Sequence, residues 1–240
     1  MVDDCDVFHE PDSIYLPILW DTLRKSSEFG WWQVTCGKLY RRGNMRGLSL
    51  LRNRGIMSRK CIARRVYALR KGYVESRPHK VYGECNAQLN GLLDVLPIVF
   101  PKCKIAFFVR DPRDWVRSFL SWGARYTARD WVYWVGGRLS ARMFPEDTWS
   151  QEWFDLDSFG KHCWLWSREN RFGLDCVGRT ENAAVFRFED VFKGPYRYEN
   201  LQRVLEFLIS FSCGSEIECQ SIRGVLQQKV NKSKAGGLAH

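Results

Sequence analysis

Lys104 to Trp122 reads KIAFFVRDPRDWVRSFLSW, and this stretch decides the fold class. Lys104-Ile105-Ala106-Phe107-Phe108-Val109 is short, almost wholly apolar and rich in β-branched and aromatic residues, the pattern of a parallel strand covered on both faces. It stops on a charge. Asp111 suits an N-cap and Pro112 the first helical position, where its missing N–H is no loss and its fixed φ already fits. A helix is therefore expected to start within a residue or two of Arg110. Its N-terminal N–H groups, the positive end of the macrodipole and the Arg110 guanidinium would converge on a place for a phosphate. Ser118 lies two turns after Asp111 on the same face, where its hydroxyl can add a donor.

Around this stretch, 240 residues with 45% hydrophobic and 15% aromatic content suit one folded α/β domain spanning residues 1–240. The expected architecture is a parallel sheet of about four strands flanked by helices. No apolar run is long enough for a transmembrane helix, since Leu92 to Phe100 is broken by Asp94 and Pro97. The acidic opening Met1-Val2-Asp3-Asp4 lacks the layout of a signal peptide. Nine cysteines without C-x-x-C pairs disfavour a zinc site or a disulfide scaffold, so a reducing, cytoplasmic setting is the expectation.

Positive charge is concentrated in one segment. Lys38 to Lys80 holds fourteen Lys or Arg and one acid, Glu75, a net +13 in a chain of +10. Interleaved Leu48, Leu51, Ile62, Val66 and Leu69 make it a pair of helices with solvated basic faces. The same face can meet an acidic substrate or partner. Nucleic acid ranks lower, because no recognised binding module is legible.

The motifs carry a resemblance. Arg110-Asp111-Pro112-Arg113-Asp114 with Ser118 eight positions after Arg110 resembles the 3′-phosphate-binding motif of sulfotransferases of the bacterial and Golgi type. That family transfers sulfuryl from 3′-phosphoadenosine 5′-phosphosulfate (PAPS). Tyr82-Gly83-Glu84-Cys85-Asn86, a Leu-rich helix over Leu89 to Leu96, and Phe100-Pro101-Lys102 are similar to what precedes that motif in the family. Arg187-Phe188-Glu189-Asp190 is similar to its R-Y-E-D-L segment. Four pieces in family order are stronger than any one. The resemblance implies a P-loop-like sulfotransferase fold, PAPS as donor, no metal, and a hydroxyl-bearing acceptor such as a glycan, a peptide tyrosine or a small molecule.

Residue by residue, the resemblance gives Arg110, Arg113 and Ser118 to the nucleotide's 3′-phosphate and Phe188 to the adenine, although Phe188 fits sheet packing equally. Lys232 and Lys234, in the basic tail, match a loop that closes over the nucleotide. Glu10, with His9 beside it, matches the general base after a family strand, and Glu84 is the reserve candidate. Capping a turn before Pro11 is the structural alternative for Glu10 and His9, and a loop contact that for Glu84.

The chain departs from the family at its start. No strand, Gly- and Ser/Thr-containing phosphate loop and helix precede Phe8-His9-Glu10, so the fold is expected to lack that first unit. A truncated enzyme and a catalytically inactive scaffold that binds an acidic partner through its basic segment both follow from this. Ala124 to Ser150, rich in Trp, Tyr and Arg, reads as a substrate-side insertion or a cover for the core. Ser158 to Phe172 reads as a helix begun by Asp157 or Ser158, with Phe159, Cys163 and Trp166 on one face and His162 as a packing or surface residue. Tyr196 to Phe211 reads as an amphipathic helix.

Overall fold

The computed structural model of the chain describes residues 5–9, 23, 26–27, 29–31, 44–76, 81–121 and 139–209. Four strands are present among them, all in parallel pairs. β1 (Cys5–His9) pairs with β2 (Val81–Cys85), setting Phe8 opposite Glu84 and His9 opposite Cys85. β3 (Ile105–Val109) pairs with β4 (Ala183–Arg187), from Ile105 opposite Ala183 to Val109 opposite Arg187. Parallel neighbours need long crossovers, and helices fill them. Between β1 and β2 lie α1 (Met45–Asn53) and α2 (Arg59–Ser76); between β3 and β4 lie α4 (Pro112–Ser121) and α5 (Ser158–Val177). The chain is therefore mixed α/β with parallel strands.

The expected single sheet is divided in two. Among the described residues the strands order as β1-β2 and β3-β4, with no ladder between the pairs. The connection from β2 to β3 carries a 3₁₀ turn (Ala87–Leu92) and the one-turn helix α3 (Leu96–Val99). Neither is long enough to lie along two adjacent strands as a crossover helix does. The Leu-rich helix expected over Leu89 to Leu96 is likewise replaced by these two short pieces. Gly91 packs against Ser49 of α1, whose hydroxyl accepts from its N–H at 2.9 Å, and Pro97 belongs to the start of α3.

The basic segment forms the expected helix pair. Asn44 caps α1 by accepting from Gly47 N–H at 2.7 Å, and Gly55, at φ +66°, takes the left-handed conformation that turns the chain toward α2. Met45, Leu48 and Leu51 of α1 bury against Ile62 and Val66 of α2 and against Leu92 and Val95. Farther along α2, Tyr73 joins Phe8, Phe29 and Tyr82 over the β1–β2 pair.

Helices pack on both faces of the β3–β4 pair, although Val185 in the middle of β4 stays 44% exposed. Phe107 presses on α5 at Gly173, where a Cβ would overlap its ring. Phe108 packs on Phe186 and on Phe192 of α6 (Phe188–Phe192), with ring centroids 5.8 and 5.7 Å apart. α7 (Arg197–Ile209) adds Phe207 against Phe186. α5 starts where expected, with Asp157 accepting from Gly160 N–H at 2.7 Å. Its inner face differs from the expected one: His162, Leu165 and Trp164 are buried while Phe159 is 55% exposed. The helix is turned so that His162 meets Trp115 and Phe119 of α4 and Trp164 meets Trp153. The 139–150 part of the aromatic insertion contributes Leu139, Ala141 and Phe144 to that core; residues 124–138 lie outside the described part.

Candidate functional site

The carboxyl ends of β3 and β4 bring Arg110 and Phe188 together. Asp111 is the N-cap of α4, accepting from Arg113 N–H at 2.8 Å, and its carbonyl takes the first helical bond from Trp115 N–H at 2.9 Å. The helix thus begins two residues after Arg110. Two contacts fix the backbone there: Arg110 C=O accepts from Trp166 Nε1 at 3.0 Å, and Asp111 N–H donates to Glu189 Oε1 at 3.1 Å. The Arg110 guanidinium carbon lies 5.1 Å from the centroid of the Phe188 ring. Phe188 is itself braced by Phe192 at 4.7 Å.

Charge around this point is balanced so that Arg110 keeps its capacity. Asp114, in the first turn of α4, is held by Lys193 and by Arg117 at 2.6 Å, and these cations, with a smaller contribution from the Arg110 charge, keep its carboxyl below the usual range. Arg113 is spent on Asp111, with Nε at 3.0 Å and Nη2 at 2.7 Å, and its side chain is 88% exposed. That bidentate contact is the main cause of the depressed Asp111 carboxyl. Arg113 therefore serves the cap. Arg110 has no carboxylate within ion-pair distance among the described residues, and its Nε is buried without a hydrogen-bond partner. The Ser118 hydroxyl, half-buried on α4, also makes no hydrogen bond among them.

The other strand pair ends on His9 and Cys85. His9 is exposed, and its Nδ1 donates to Cys85 C=O at 3.2 Å. A carbonyl only accepts, so in the neutral ring Nδ1 carries the proton and Nε2 is left as the basic nitrogen. Glu84 is differently occupied. Its carboxylate pairs with Arg70, and Tyr82 Oη donates to it as well. Arg70 in turn lies over Phe29 at 5.2 Å. Glu10, Lys232 and Lys234 lie outside the described residues.

Arg70 departs from the solvated basic face expected of its segment, since its side chain is buried. Its signal was position: Ile62, Val66, Arg70 and Tyr73 fall on one helical stripe, and all four are buried. Among the described residues no group of three or more His, Cys, Asp or Glu is placed to hold a metal ion, and no helix is long and apolar enough to cross a membrane. Compared with family models, curated proteins and solved structures, the chain matches none of them.

Proposed function

We propose that the chain is a PAPS-dependent sulfotransferase in which Arg110 and Ser118 hold the 3′-phosphate of the nucleotide and the Phe188 ring lies against its adenine. One observation carries the reading. A guanidinium with a buried, unpaired Nε stands at the start of a capped helix, beside an aromatic ring and with its neighbouring acids already neutralised. That combination asks for an anion with an aromatic part.

When bound, PAPS supplies an electrophilic sulfuryl group on a good leaving group, the 3′,5′-bisphosphate. The chain's own residues then have two tasks. Arg110 and Ser118 fix the nucleotide by its 3′-phosphate, which sets the position of the sulfur without touching it. His9 Nε2, or Glu10 after it, takes the proton from the acceptor hydroxyl as its oxygen bonds to sulfur and the bridging bond to phosphate breaks. Glu84 is unsuited to that task, because its carboxylate is already committed to Arg70 and Tyr82.

Calorimetric titration with 3′-phosphoadenosine 5′-phosphate tests the reading. Micromolar binding, about −8 kcal/mol, that weakens about tenfold or more in Arg110→Ala and is also weakened in Ser118→Ala supports it. A folded chain that binds no nucleotide sinks it and leaves the inactive scaffold of similar fold.

A further inference from the structure

The peptide unit between Arg110 and Asp111 is held at both of its polar ends. Its C=O accepts from Trp166 Nε1 of α5 at 3.0 Å, and its N–H donates to Glu189 Oε1 of α6 at 3.1 Å. A peptide unit is planar, so side chains from two different helices settle its orientation. The direction in which the Arg110 side chain leaves the backbone follows from that.

This direction matters because the main-chain donors at the start of α4 are spent within the chain. Asp111 N–H goes to Glu189, Pro112 has none, and the Asp111 carboxylate takes the N–H of Arg113 at 2.8 Å and that of Asp114. Recognition of an anion therefore falls to side chains. Arg110 offers a buried Nε with no hydrogen-bond partner among the described residues. A guanidinium carries its donors in a fixed fork, so the place where its stem begins decides what it can reach.

Glu189 is the unexpected member of this arrangement. By charge alone a carboxylate opposes an anion beside it, and next to Arg110 its ordinary use is an ion pair that would consume the guanidinium. Among the described residues no ion pair joins the two. Glu189 gives its Oε1 to the main chain, and the guanidinium lies over the ring of Phe188 instead. One short helix thus supplies both the ring beneath Arg110 and the acceptor that fixes its backbone. That helix is tied to α4 a second time, through Lys193 at its C-cap and Asp114.

We propose that Glu189 is a positioning residue of the nucleotide site: by holding the Arg110–Asp111 peptide against α6 it aims the guanidinium at the 3′-phosphate and so sets the preference for a 3′-phosphorylated nucleotide. The proposal rests on the reading of Arg110 given above. The role is geometric, so it requires an acceptor at this place and not a charge.

The test titrates the full chain and its Glu189→Ala and Glu189→Gln variants with 3′-phosphoadenosine 5′-phosphate and with adenosine 5′-monophosphate, by calorimetry at fixed salt. The parent's preference for the bisphosphate, about tenfold or more, is expected to fall to about threefold or less in Glu189→Ala, with binding of the monophosphate nearly unchanged. Glu189→Gln, whose amide oxygen accepts the same bond, keeps the preference. A merely structural part would lower the melting temperature, or weaken both nucleotides alike, and leave their ratio as it was. Lys193 still ties α6 to Asp114 in both variants, and thermal melting verifies that they are folded. Should Glu189→Ala not fold, Trp166→Phe, which frees the other end of the same peptide, carries the same expectation. A preference that survives Glu189→Ala, or falls equally in Glu189→Gln, overturns the proposal and leaves the reading of Arg110 in place. A folded parent that binds neither nucleotide, or binds the two alike, removes that reading and the proposal with it.

Discussion

Arg70 and Glu84 meet as an ion pair between α2 and β2 with side chains only 1% and 7% exposed, and this pair joins the basic helix to the first strand pair. Removing one partner strands a charge in a site shielded from water. Glu84→Ala is expected to lower unfolding free energy by about 3 to 5 kcal/mol, whereas Arg70→Met with Glu84→Leu recovers most of the loss, because well-packed apolar groups can replace a buried pair. Denaturant unfolding of the two variants decides. A Glu84→Ala chain as stable as the parent would mean that the pair contributes nothing.

Acid is expected to weaken the fold through Asp111. Its carboxyl is held below the ordinary value of 3.8 by Arg113, so the unfolded chain binds protons more readily than the folded one. The stabilisation is complete above the ordinary value and is lost as pH falls through the lower, folded one. Asn still caps a helix but cannot titrate. Thermal melts below about pH 5 should therefore fall more steeply for the parent than for Asp111→Asn. Parallel curves would show that the pair with Arg113 is fully screened.

Lys60 makes the opposite kind of prediction, a gain. In Lys60→Glu a carboxylate replaces a cation in the first turn of α2 and stands one turn from Arg64, so both the macrodipole and the side-chain pair change sign. Stability should rise by about 0.5 to 1 kcal/mol at low salt. A drop in melting temperature would show that Lys60 has a stabilising contact.

Thiol chemistry should sort the cysteines by burial. Cys103 and Cys176 have their thiols pushed up to about 11 by burial, whereas Cys61 and Cys85 are exposed. Because the thiolate is the reacting form, iodoacetamide at neutral pH should label Cys61 and Cys85 in the native protein well before Cys103 and Cys176. Peptide mass spectrometry reads the order. Early labelling of Cys176 would contradict its place in the core beside Leu93 and Ile105.

What could be read in the sequence was local. The apolar run ending at Val109, the cap at Asp111 and the start at Pro112 follow from residue chemistry within one turn, and so do the cap at Asp157 and the two helices of the basic segment. The misreadings are tertiary. Which strands share a ladder is settled by the connection between them, and the short 3₁₀ and α pieces between β2 and β3 carry no pattern that announces a divided sheet. Phe159 lies outside where an inward face was expected, while His162 takes the packing place open to it, because α4 decides which face of α5 is inside. Arg70 hid among thirteen other cations of its segment, and only its register with Ile62 and Val66 marks it as a buried partner. At the site, the two residues that the resemblance assigns to one nucleotide, Arg110 and Phe188, lie together across the strand ends, while Arg113 is drawn away to Asp111.

The most direct measurement compares 3′-phosphoadenosine 5′-phosphate with adenosine 5′-monophosphate, which differ only by the phosphate assigned to Arg110. The parent chain should prefer the bisphosphate by about tenfold or more, the value of one charge-assisted contact, and Arg110→Ala should bind the two alike. Equal binding of both nucleotides by the parent, or a preference that survives Arg110→Ala, would contradict the assignment of Arg110 to the 3′-phosphate.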